Sequence, residues 1–146
     1  RWFFVVCHLR SKGGDDSLFG RRQPPIRRSE NQRGLQTALV RKLIDDLRAA
    51  DPGARIIALG DLNDFEFQTP VESLASPPMV NLMKRVPESE RWTYVYQGNA
   101  QTLDHIIVSP ALAESAEIEV IHVNADLPAS ERASDHDPVI ARFKIR

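Results

Sequence analysis

The chain has a single cysteine in 146 residues, which excludes an internal disulfide and a cysteine-rich zinc site. In its apolar setting Cys7 reads as a small buried residue. Long hydrophobic runs are also missing. None approaches the roughly 20 residues that span a bilayer, so a membrane is not expected as a partner, and no signal peptide is visible. The first residues, Arg1 to Leu9, already read as a strand with no lead-in and no initiating Met, so a piece of a longer polypeptide is expected. Charge of one sign is lacking too. The formal net charge of -1 gives no global signal for a polyanion, so electrostatic recognition has to be local. The remaining composition, 42% hydrophobic and 27% charged, is that of an ordinary soluble globular protein of one domain's length. There is no internal repeat and no low-complexity segment.

Taken in order, the chain alternates strand and helix signals. The opening strand is followed by a Gly- and Pro-rich loop with Arg21, Arg22, Arg27 and Arg28, a local positive patch without regular structure. Ser29 as N-cap and Gln32 three residues on fit a capping box. Leu35, Leu39, Leu43, Ile44 and Leu47 then form an apolar stripe at helical spacing, and Asp51-Pro52-Gly53 ends the helix. Arg55 to Leu59 is a second strand, which completes a strand–helix–strand unit and favours an α/β fold. Residues 65–87 read as irregular, with a helical turn over Val71 to Leu74. Arg91 to Gly98 and Thr102 to Val108 read as a hairpin about Asn99-Ala100. Glu117 to Val123 and Val139 to Ile145 are further strands.

The chemistry concentrates at strand ends. Gly60-Asp61-Leu62-Asn63-Asp64 turns off the second strand, and Asp61 and Asn63 are spaced to share a side in an extended segment. Such a stretch is also common in plain turns. Asp104 sits among Leu103, Ile106 and Ile107, where an unpartnered carboxylate costs several kcal/mol. His136 is its natural partner, because a neighbouring carboxylate orients and charges an imidazole. His8 ends the first strand, and Asp135 precedes His136. Oxygen ligands without thiolates suit Mg²⁺ or Mn²⁺, with Ca²⁺ as a further option. A hard cation, an Asp-held His and an amide are the parts needed to hydrolyse a phosphoester.

These residues resemble the endonuclease/exonuclease/phosphatase superfamily. The matching motifs are the His8-Leu9 strand end, Gly60-Asp61-Leu62-Asn63, Leu103-Asp104-His105-Ile106 and Ser134-Asp135-His136-Asp137-Pro138, in the family's order and across nearly the whole chain. The stretch His8 to Gly14, the Gln-Pro-Pro loop, Asn31-Gln32-Arg33 and Tyr94 to Asp104 are most similar to the bacterial extracellular nucleases. The resemblance implies the C-terminal half of a four-layer α/β sandwich, with residues 1–146 as a single partial domain that lacks its N-terminal half. It implies His136 as general base or electrostatic catalyst oriented by Asp104, Asp135 as a metal ligand, and Asp61 positioning the attacking water or a metal. Asn63 would bind the scissile phosphate, and His8 would be the second histidine of the nuclease branch, beside the leaving group or the phosphate. Two departures stand out. Cys7 replaces the family's Asn, and the metal-binding glutamate of the N-terminal half has no counterpart, Glu30 and Glu66 lying in other contexts. That leaves His8 without its expected partner.

The expected function is therefore metal-dependent phosphodiester hydrolysis by a secreted, extracellular or periplasmic nuclease. Its substrate would be DNA, with RNA as the alternative, and Arg27, Arg28 and Arg33 would contact phosphate. A phosphatase or a sphingomyelinase-like phospholipase of the same superfamily is one rival. An inactive fragment or interaction module is the other, since half a sandwich exposes a sheet face that invites self-association.

Overall fold

A computed structural model of the chain describes residues 1–16 and 20–144. The apolar run at the start forms β1 (Trp2–His8), and a long helix, α1 (Arg28–Ala50), carries the chain back to β2 (Arg55–Asp61). A helical crossover returns the chain in the same direction, and β1 and β2 pair in parallel from Trp2↔Arg55 to His8↔Asp61. A short helix, α2 (Thr69–Leu74), covers the expected helical turn. The two-residue β3 (Val80–Asn81) follows, and two 3₁₀ turns lead to β4 (Tyr94–Tyr96) and β5 (Asn99–Gln101). Next come β6 (Asp104–Val108), the one-turn α3 (Pro110–Ala113), β7 (Ala116–Val120) and β8 (Val139–Phe143). The main sheet has the order β1-β2-β6-β3, with β6 antiparallel to both neighbours. The expected end of the last strand at Ile145 lies outside the described residues.

Strand alternation sorts the core into two layers. One face of the sheet carries Phe3, Val5, Cys7, Ile56 and Ala58, which pack with Ile44 of α1 and with Val71 and Leu74 of α2. The other carries Trp2, Ile57, Leu59, Ile106 and Val108, which meet Ile118, Val139, Ala141 and Phe143 of the β7–β8 ribbon. The fold is mixed α/β, with α1 and α2 on one side of a mixed sheet and α3 with a second, antiparallel ribbon on the other. Among the described residues no helix is long and apolar enough to cross a membrane.

Three sequence expectations are corrected. Only part of the apolar stripe of α1 faces the core: Ile44 is buried and Leu47 packs against the same cluster, but Leu35 and Leu39 are each 71% exposed and Leu43 is half exposed, while the polar Arg33 and Thr37 are buried. Counting apolar residues merged two helix faces, because the face turned inward begins with polar residues that are hydrogen-bonded there. Ser29 is also not the N-cap. It lies inside the first turn, and Asp15 reaches in from the preceding loop to accept the Ser29 N–H at 2.9 Å and its hydroxyl proton. The hairpin, finally, is β4–β5, closed by Gln97 and Gly98, while β6 belongs to the main sheet. Both loop residues have positive φ, +49° and +78°, as a two-residue hairpin of the favoured twist requires. A strand drawn through Gly98 missed that.

Gly60 has its own constraint. Its φ is +127°, and a Cβ there would stand 2.1 Å from the Cys7 carbonyl oxygen, so only glycine lets β2 approach β1 one residue before Asp61. Asp64, just beyond, is buried and accepts from Arg33 Nε at 2.9 Å and Lys12 Nζ at 2.8 Å. Arg33 Nη1 also donates to the Arg10 carbonyl at 3.1 Å and the Ser29 hydroxyl at 2.7 Å. This network ties loop, helix and strand end together. Removing one partner strands a buried charge, so Asp64→Ala should cost about 3–5 kcal/mol, read as a lowered urea midpoint. The exposed Lys42–Asp46 pair serves as the control, with an equally small shift expected for Asp46→Ala as for other surface pairs.

Candidate active site

The strand register does the first part of the assembly. The pairs His8↔Asp61 and Asp61↔Asp104 line up three polar residues across one end of the sheet. Two carboxylates on adjacent strands repel, and the surroundings answer each separately. Asp104 Oδ2 accepts Nδ1–H of His136 at 2.6 Å. Asp61 accepts the Asn63 backbone N–H at 2.8 Å on one oxygen and the Asn63 amide at 2.9 Å on the other. Burial pushes the Asp61 carboxyl above its usual range. The Asn63 N–H opposes that push and the neighbouring Asp104 charge adds to it. Each shift follows from which charge form the site solvates best.

His136 is raised above the ordinary 6.5, first by the hydrogen bond to Asp104 and against the effect of burial. With Nδ1 engaged, Nε2 is the nitrogen left for chemistry, and His136 borders an open groove of roughly 1530 Å³. Its backbone is fixed from several sides. The His136 N–H donates to the Ser134 hydroxyl at 3.1 Å, and Asn124 Nδ2 donates to the His136 carbonyl at 3.0 Å. A β-bridge links Tyr94 with His136, and the Asp137 N–H donates to the Thr93 carbonyl at 2.8 Å.

Two bracing residues escaped the sequence reading. Asp137 is buried, and one of its oxygens accepts the N–H groups of Val123, Asn124 and Ala125 while the other faces His122 Nδ1 at 2.9 Å. Burial alone would raise this carboxyl, but those hydrogen bonds hold it below its ordinary value. The fully buried Thr93 hydroxyl accepts the N–H groups of Leu103 and Asp104 at 3.2 Å each. The only sequence signal for either was a carboxylate next to His136 and a hydroxyl in a strand.

The other expected residues are placed as follows. His8 is 80% exposed at its side chain, with Nε2 3.5 Å from Asp61 Oδ2, so Asp61 stands where no partner was expected. Asn63 is buried with φ +52°, and its amide donates to the Leu9 carbonyl at 3.1 Å as well as to Asp61. In this arrangement it steadies Asp61, and a phosphate would have to displace one of those bonds. Asp135 borders the same groove at an exposed position. Arg33 is buried on Asp64, Arg27 pairs with Glu30 at 3.1 Å, and Arg28 is exposed at the start of α1. His105, by contrast, is a core residue: Nε2 donates to the Asp64 carbonyl at 2.9 Å, Nδ1 accepts from Asn81 at 3.1 Å, and burial lowers its pKa. For a divalent cation the fit is incomplete. Among the described residues no three His, Cys, Asp or Glu side chains converge as a metal-holding group, and Asp104 is already given to His136.

The sequence pattern of the endonuclease/exonuclease/phosphatase family matches residues 1–129. Comparison with curated protein sequences gives no match. Among solved structures the fold is similar to truncated Caenorhabditis elegans TDP2, at 18% identity and a TM-score of 0.69, covering 96% of this chain and 53% of that one. It is similar to the 3′ phosphatase NExo from Neisseria bound to a product DNA hairpin, at 22% identity and a TM-score of 0.63, covering 97% and 61%. The human Nocturnin catalytic domain with bound sulfate matches at 18% identity and a TM-score of 0.58, over 95% and 46%. The chain therefore spans about half the length of the structures it matches.

The Asp104–His136 bond has a direct signature. An NMR titration of the His136 ring should give a midpoint above 6.5, and Asp104→Asn should bring it down. Because the folded value lies above the unfolded one, the bond's contribution to stability is complete below about pH 6.5 and is lost as pH rises through the folded value. An unchanged midpoint in Asp104→Asn would rule out Asp104 as the cause.

Proposed function

The chain belongs to the endonuclease/exonuclease/phosphatase family, and on that footing we propose that it carries the Asp–His side of an active site that hydrolyses phosphodiesters in nucleic acid, DNA in the first place. The single observation that supports this most is the 2.6 Å bond from His136 Nδ1 to Asp104, with His136 bordering the large groove. In this reading His136 Nε2 takes a proton from water as the water oxygen attacks phosphorus. Asp104 stabilises the imidazolium that results, as the raised pKa of His136 favours. His8 lies at the same sheet end, one strand away through Asp61. It is placed to give a proton to the oxygen that leaves when the P–O bond breaks.

Asn63 holds the Asp61 carboxylate in place beside this pair, and Thr93 and Asp137 keep Asp104 and the His136 loop from drifting. Enzymes of this superfamily commonly use divalent metals, and Mg²⁺ is the ion expected for the whole enzyme. Among the described residues the carboxylates do not complete a site for it, so no step is assigned to a metal. The missing donors and the half-length match to the solved structures both support residues 1–146 being one part of a larger catalytic domain. The resemblance to secreted nucleases is the support for an extracellular or periplasmic setting. A phosphatase acting on DNA ends is the second reading, favoured by the similarity to the Neisseria 3′ phosphatase.

The test is a paired plasmid-nicking assay of this chain and a form extended at its N-terminus, each with and without chelator. The extended form should nick DNA, chelator should stop it, and His136→Ala should slow it about 10²- to 10⁴-fold. The chain alone should be weakly active or inactive. Robust Mg²⁺-dependent nicking by the chain alone would overturn the incomplete-site reading. Release of terminal phosphate without nicking would favour the second reading over the first.

A further inference from the structure

Aromatic residues border the groove beside His136, and they come in ordered pairs. The Tyr94 and Tyr96 rings on β4 are 6.5 Å apart and 14° from parallel, and Tyr94 lies 4.8 Å from the His136 ring. This row starts at the proposed base and runs out along the hairpin. Phe65 and Phe67, in the loop after β2, stack at 5.3 Å and 21°, with Lys12 Nζ 3.7 Å over the Phe65 ring. All four border the same groove. The outer member of each pair is open to solvent, Tyr96 at 53% and Phe67 at 61%. A large ring left in water forgoes the transfer free energy that burial would give it, so two such rings on one groove mark a surface suited to a flat, apolar ligand face.

The charges of the groove give a phosphate backbone little to bind, so a ligand there has to be held by something other than its phosphates. Its cations are engaged within the protein: Lys12 and Arg33 with Asp64, Arg27 with Glu30, and Arg91 with Glu66. Asp15, Asp16, Asp61, Asp104, Asp135 and Glu88 border it as well. Carboxylates thus outnumber cations among the described lining residues. A duplex presents its phosphates and hides its base faces, so this wall offers it little. A single strand offers base faces, and stacking on aromatic rings accepts any base.

We propose that the groove takes single-stranded nucleic acid by stacking bases on Tyr96 and Phe67. The proposal rests on the hydrolysis reading above, because the Tyr96–Tyr94 row leads to His136 and would deliver an unpaired strand to it.

Fluorescence anisotropy of the chain with a short labelled oligothymidylate and with a duplex of equal length, in chelator so that nothing is cleaved, tests this. The single strand should bind at least about 10-fold tighter than the duplex, and Tyr96→Ala and Phe67→Ala should each weaken it about 5- to 100-fold. Tyr96→Phe keeps the ring and should bind as the parent does. Raising salt from about 50 to about 200 mM should change affinity less than about 10-fold, against about 10³–10⁵ for binding carried by six to ten phosphate contacts. Equal affinity for duplex and single strand, no binding of either, or alanine variants that bind like the parent would each overturn the proposal. The nicking assay separates it from the hydrolysis reading. Cleavage that needs His136 while both alanine variants bind single strands normally defeats the stacking alone. Ring-dependent binding by a protein whose extended form never cleaves defeats the hydrolysis alone.

Discussion

The site depends on two carboxylates that strand pairing forces side by side. Asp61 and Asp104 are register partners on β2 and β6, so neither can move away without breaking the sheet end. The Asp104 charge adds to the cost of ionising Asp61, and the fold gives the two carboxylates different partners. Asp104 receives an imidazole that becomes cationic readily, and Asp61 receives neutral amide donors. The result is two neighbouring acids with different tasks, one poised against His136 and one kept at a raised pKa. A plain turn after a strand would need none of this, and Gly60–Asp64 is therefore more than an exit loop. Gly60 lets the strands close, Asp61 and Asn63 lock each other, and Asp64 anchors Arg33 and Lys12.

Much of this was legible in the sequence because it rests on single residues in an apolar background. A carboxylate at position 104 among Leu103, Ile106 and Ile107 demanded a partner, and His136 is that partner. The β1–α1–β2 unit followed from apolar runs around one long amphipathic segment. The rest was hidden because it depends on which segments lie side by side. Arg33 and Thr37 are polar by sequence and buried by contact, so the inward face of α1 could not be found by counting leucines. Asp15 caps that helix from a loop 14 residues from Ser29. Arg33 also shows why a basic residue near a candidate site is not thereby free to bind a ligand: a buried Asp64 already satisfies it.

A second tier holds the first. Thr93 fixes the backbone of Asp104, its neighbour Tyr94 bridges to His136, and Asp137 gathers the amides of residues 123–125 beneath the same loop. The dyad is thus clamped from the β4–β5 side and from the loop that follows β7. These clamps join the Thr93 hydroxyl and the Asp137 carboxylate to backbone groups of segments distant in sequence, so neither residue type by itself marks them in the sequence. An imidazole that meets an acid at 2.6 Å needs them all the same, because a short hydrogen bond tolerates little displacement of either partner.

The open parts of the molecule lie close together. β1 is an edge strand of the main sheet. Its Phe4 and Val6 are 64% and 78% exposed, and the side chain of His8 at its end is 80% exposed. Leu35 of α1 borders a shallow groove with His8 and Leu9. An unpaired, apolar edge strand is a surface that proteins ordinarily cover. Here the uncovered edge ends at the very histidine whose expected acidic partner is absent, and beside a carboxylate group too small to hold a cation. One additional stretch of protein along β1 would cover the apolar surface and bring new side chains to His8 and Asp61 together. A cover from elsewhere on the molecule would do only the first. The exposed edge strand and the candidate site thus meet at one histidine, and it is on this juxtaposition that the proposal of an active site shared with further chain rests.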